Sequence, residues 1–83
     1  MLFTKNRLSK EMFDLLLDVI QRREPRLLGL PFFSQERGLT DEEREDLREV
    51  LADELCEVGL KANDEPNKYG LLIDDLIGKL MNF

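Results

Sequence analysis

With 83 residues, no histidine and one cysteine, this chain excludes much chemistry at the outset. Imidazole catalysis and imidazole metal sites are impossible, no internal disulfide can form, and a net charge of −6 sets the chain against phosphate backbones, so direct nucleic-acid binding is not expected. The length makes one domain, residues 1–83, burying roughly 60–65% of the surface its unfolded chain exposes.

The charge is unevenly placed. Residues 1–39 hold seven Lys/Arg and five Asp/Glu, a net of +2, whereas residues 40–83 hold five and thirteen, a net of −8. No apolar run approaches the roughly 20 residues that span a bilayer. The N-terminal MLFTKNRLSKEMFD carries charges and no small-residue cleavage site, so it does not read as a signal peptide. With a single thiol, the reading favours a reducing compartment, the cytoplasm.

Residues 1–7 read as an arm that Leu2 and Phe3 can pin to the core. Ser9 is a good N-cap, and Leu8 before it can staple onto Phe13. The spacing predicts a helix over 10–23 with Met12, Phe13, Leu16, Leu17, Val19 and Ile20 on its apolar side. Leu15 widens that arc past half the circumference. The helix is therefore central in the fold, or Leu15 is presented to a partner. Pro25 ends the helix, because Glu24 before it is pushed out of helical geometry.

The connection PRLLGLPFFSQERGL, residues 25–39, carries Leu27, Leu28, Leu30, Phe32 and Phe33, too many apolar groups for an idle loop. Gly29 and Pro31 prevent a long helix. A single turn near Arg26–Leu28, or a short extended pairing over Leu27–Phe33, is open to it. It reads as a lid over one end of a bundle or as an apolar binding patch. In an extended segment Phe32 and Phe33 point opposite ways, so at most one enters the core deeply.

Residues 40–60, TDEEREDLREVLADELCEVGL, organise the chain. Thr40 and Glu43 form a capping-box pattern, and Asp41, Glu42 and Glu43 favour the positive end of the helix dipole. Leu47, Val50, Leu51, Leu55 and Val58 repeat as one apolar stripe, and Gly59 suits a left-handed helix end. At 100° per residue, Glu42, Asp46, Glu49, Asp53 and Glu57 fall on another strip. Its members are like-charged neighbours, each pair costing roughly 0.2–0.5 kcal/mol. Arg44 and Arg48 lie away from it. The strip is either a solvated face or a docking surface for a basic partner, with Asp64 and Glu65 in the next loop able to extend it.

The loop KANDEPNKYG is rich in turn formers. Asn67 then caps a helix over 68–81, whose stripe is Tyr69, Leu72, Ile73, Leu76, Ile77 and Leu80. Gly78 inside it costs roughly 1 kcal/mol relative to Ala and suggests a close helix contact. The expected fold is all-α: three main helices packed around Phe13, Leu16, Ile20, Leu47, Val50, Leu51, Leu55, Leu72, Ile73, Leu76 and Leu80, with an apolar irregular connection between the first two.

The remaining residues offer no catalyst. Cys56 has no second Cys or any His beside it and reads as a partly buried residue at a helix contact. Ser9, Ser34 and Thr40 lack a base, and a carboxylate pair needs a cleft this length rarely provides. The acidic loop lacks the alternating ligands of a calcium-binding loop, and there is no Gly-rich phosphate motif. The chain reads as a non-catalytic binding module without cofactor or metal.

Size, acidity and helical content together resemble the immunity proteins that bacteria make against their own nuclease toxins, notably the helical ones of the DNase colicins. The resemblance implies inhibition of a basic toxin domain. It is one of type: the Asp-containing segment with two adjacent tyrosines is missing, Tyr69 being the single tyrosine. Residues 54–80 also look like the C-terminal half of small bacterial proteins. Neither likeness transfers a functional residue. The competing expectation is a structural or regulatory subunit that homodimerises, or joins an assembly, through Leu15, Leu30, Phe32 and Phe33.

Overall fold

The computed structural model describes residues 7–34, 37–63 and 65–81. It is an all-α bundle whose long helices are α1 (Lys10–Arg23), α3 (Asp41–Val58) and α4 (Lys68–Met81), with a 3-10 helix at Pro25–Gly29 and a single turn, α2 (Pro31–Ser34), between the first two. Among the described residues no helix is long and apolar enough to cross a membrane. Leu2 and Phe3, read as possible pins for the arm, lie outside the described residues.

Local chemistry sets the boundaries. Ser9 Oγ accepts the Met12 N–H at 3.2 Å and starts α1. The Glu24 N–H donates to Ile20 O at its end, before Pro25 breaks the pattern. Thr40 and Glu43 complete the capping box reciprocally, at 3.2 and 2.9 Å. Asn67 Oδ1 accepts the Gly70 N–H at 2.7 Å and caps α4.

The apolar connection does not extend. Leu27, Leu30 and Phe33 each donate an N–H to the carbonyl three residues back, at 3.0, 3.1 and 3.0 Å, so Leu27–Phe33 winds through two tight turns instead of pairing as a strand. Tight winding inserts Leu27 and Phe32 into the core while Phe33 stays at the rim. The rings of Phe13, Phe32 and Phe33 lie 5.2 to 6.1 Å apart, Phe32 and Phe33 edge to face. The segment is thus a lid tied to α1.

The core proper is Leu16, Val19 and Ile20 of α1, Leu47 and Leu51 of α3, and Ile73, Leu76 and Leu80 of α4, closed by Leu8, Leu27, Phe32 and Leu39. Both α1 and α4 pack along α3. One expected core residue, Leu72, lies outside it and is half exposed, while Phe13, Val50 and Leu55 pack against it only partly buried; Val58, read as part of the apolar stripe of α3, is also half exposed. Ile73, Leu76 and Leu80 set the inward direction of α4, and Leu72 falls about 80° from it on the helical wheel. Val58 sits on the last residue of α3.

The glycines act differently from their sequence reading. Gly59 ends α3 at φ −98°, in the right-handed region, so no left-handed turn requires it. What requires it is proximity: a Cβ on Gly70 would lie 2.0 Å from Gly59 O, and one on Gly59 would lie 3.0 Å from Gly70 Cα. The close helix contact expected at Gly78 is made here instead. A Cβ on Gly78 would meet nothing within 4 Å.

Candidate functional site

On α3 the rise of about 1.5 Å per residue spreads Glu42, Asp46, Glu49 and Asp53 along about 17 Å of one face. All four are exposed. Among the described residues, no ion pair or hydrogen bond engages their carboxylates. The helix's own arginines are committed elsewhere. Arg48 pairs with Glu45 at 2.9 Å, and Arg44 pairs with Asp41 while its Nη1 donates to Leu80 O at 2.9 Å, capping the negative end of α4.

The other residues expected in the strip behave differently. Glu57 stands on the edge nearest α1 and accepts from Arg23 Nη2 at 2.7 Å, so its charge is partly neutralised. Glu65 is exposed in the following loop, where its backbone closes the turn by accepting the Lys61 N–H at 2.7 Å. Asp64 lies outside the described residues. Cys56 is exposed, not tucked into a helix contact. Among the described residues no group of three His, Cys, Asp or Glu side chains converges as a metal site.

Sequence reasoning missed the charged centre of the molecule. Glu54 is buried, 1% exposed, in the middle of the apolar stripe of α3. Arg22 Nη2 donates to its Oε2 at 2.8 Å, Arg23 Nε donates to Oε1, and the Tyr69 hydroxyl donates to Oε2. One carboxylate thereby ties α1, α3 and α4 together. Burial alone would raise the Glu54 pKa. The hydrogen bonds from Arg22, Tyr69 and Arg23 outweigh it and lower the value to about 2. Burial and then Glu54 raise the Tyr69 hydroxyl above its ordinary value. With both oxygens occupied, Glu54 is a clamp and not a free acid or base. The signal was present: positions 47, 51, 54 and 58 share one helical stripe, and one of them is a glutamate.

A second surface feature lies between α1 and the start of α4. Met12 and Leu15 form one wall, and Tyr69 and Leu72 the other, of a groove of about 370 Å³. Glu11 and Asp75 stand at its rim.

No protein-family model matches the chain, and neither a curated protein nor a solved structure is detectably similar to it.

Proposed function

We propose that this chain is a non-catalytic binding module that neutralises a basic protein partner, most concretely a nuclease toxin domain, as an immunity protein or antitoxin does. The observation that carries this reading is the row of exposed carboxylates at Glu42, Asp46, Glu49 and Asp53, none of which has a cation beside it among the described residues, although Asp41, Glu43, Glu45, Glu54 and Glu57 of the same helix each pair with an arginine. A row of like charges on a stiff helix weakens the helix it lies on. It also steers a basic partner into register before contact. The core and the Glu54 clamp hold α3 on its opposite side, so the strip is presented on a rigid element.

The competing surface is weaker as a unit. Phe32 is 1% exposed, and Leu15, Leu30 and Phe33 are each partly packed against the core, so the four do not make one apolar face.

The test is co-expression with the products of the genes flanking its own. The expected result is a 1:1 complex with a basic nuclease domain whose activity is thereby inhibited. Its association rate should fall as salt rises from about 0.01 to 1 M, while the Debye length shrinks from about 30 to 3 Å. A complex whose association ignores salt, or one that leaves the partner's activity intact, contradicts the proposal.

A further inference from the structure

Two leucines face each other across the groove between α1 and α4: Leu15, partly packed against the core, and Leu72. Leu15 widens the apolar arc of α1 beyond what one neighbour needs. Leu72 belongs to the apolar stripe of α4 yet is 52% exposed. Both stand on the walls of the same groove, with Met12 and Tyr69 completing its apolar lining. Its volume, about 370 Å³, falls within the range of side-chain and ligand sites. The rim supplies the second observation: Glu11 and Asp75 line the groove, and among the described residues no lysine or arginine does.

We propose that this groove seats a basic amphipathic helix of another protein, an aliphatic side chain entering between Leu15 and Leu72 and flanking lysines or arginines meeting Glu11 and Asp75. Charge complementarity selects the occupant. A second copy of a chain carrying a net charge of −6 would bring acid to an acidic rim. An acidic or neutral apolar segment would leave both carboxylates desolvated without partners. A site bounded by two helices is completed by a third, whose apolar residues recur every three or four positions. The site shares no residue with the α3 strip and stands independently of it.

The probe is a synthetic helical peptide of leucine and lysine, with leucines spaced three and four apart, titrated into the isotope-labelled protein and followed by amide NMR. A peptide with glutamate in place of lysine is the control. The expected result is that amides of residues 11–15 and 69–75 shift. Leu72→Ser should weaken binding roughly tenfold, E11Q/D75N should weaken it and flatten its salt dependence, and D46N/D53N should leave it unchanged. Leu72 is half exposed, so L72S should keep the parent's amide spectrum; if it does not, the E11Q/D75N arm decides alone. The proposal is overturned if those amides do not move, if the glutamate peptide binds as well, or if the protein alone dimerises through the groove and L72S abolishes the dimer.

Discussion

Glu54→Gln keeps the shape of the buried side chain and removes its charge. Two arginines and a tyrosine then converge on an amide that can accept through only one of its two terminal atoms. Removing one partner of a buried ion pair costs about 3–5 kcal/mol, and Arg22 stays half in water, which places this case at the low end. The acidity gives a similar figure. The Glu54 carboxyl titrates at about 2 in the folded chain against an ordinary 4.5, and at about 1.4 kcal/mol per pH unit the difference is ~3 kcal/mol. A chain of this length is stable by only about 4–12 kcal/mol, and each kcal/mol moves its melting temperature by about 4–8 °C. E54Q should therefore melt roughly 12–24 °C below the parent near neutral pH. The sign of the pH dependence follows from the lowered pKa: the stabilisation is complete above about 4.5 and is lost as pH falls through about 2. Urea unfolding of both proteins across that range should show a gap of ~3 kcal/mol at neutral pH that closes towards about pH 2. A gap that stays constant with pH, or a variant as stable as its parent, would refute the clamp.

Other expectations follow from the same contacts. Tyr69→Phe removes one hydrogen bond to the Glu54 carboxylate and should cost about 1.5–3 kcal/mol in urea unfolding. Gly70→Ala places a methyl 2.0 Å from Gly59 O and should destabilise by at least about 3 kcal/mol, whereas Gly78→Ala, in open space on the same helix, should stabilise by about 1 kcal/mol; thermal unfolding of the pair distinguishes them. Thr40→Ala opens the capping box and should cost about 1 kcal/mol, read by the same melt.

Much of the bundle was legible because its signals are local. The boundaries of α1, α3 and α4 follow from Ser9, Thr40 and Asn67, each a cap whose partner is within three residues. What depended on packing was harder to read. Leu72 and Ile73 are adjacent and equally apolar, and only the angle at which α4 meets α3 decides that Ile73 is buried and Leu72 is not. Gly59 and Gly70 look like ordinary turn and helix residues until their backbones touch. The exposed strip needed only helical periodicity. The Glu54 clamp needed one further step: treating a charged residue inside an apolar stripe as a demand for partners. Arg22 and Arg23 lie more than 30 residues away in the chain, so no local pattern names them.

If the strip on α3 serves binding and not folding, D46N/D53N, which removes two charges at nearly constant shape, separates the two roles. Asp46 neighbours Glu42 and Glu49, and Asp53 neighbours Glu49 and Glu57, so relief of these pairs should leave stability level or raise it by roughly 0.2–0.5 kcal/mol per pair. Stopped-flow association of this variant with the basic partner, beside its thermal unfolding alone, is the deciding measurement. The expected result is an unchanged or slightly higher melting temperature together with slower association, the difference from the parent vanishing at high salt. A variant that melts several degrees lower, or one that associates as fast as the parent at low salt, would contradict it.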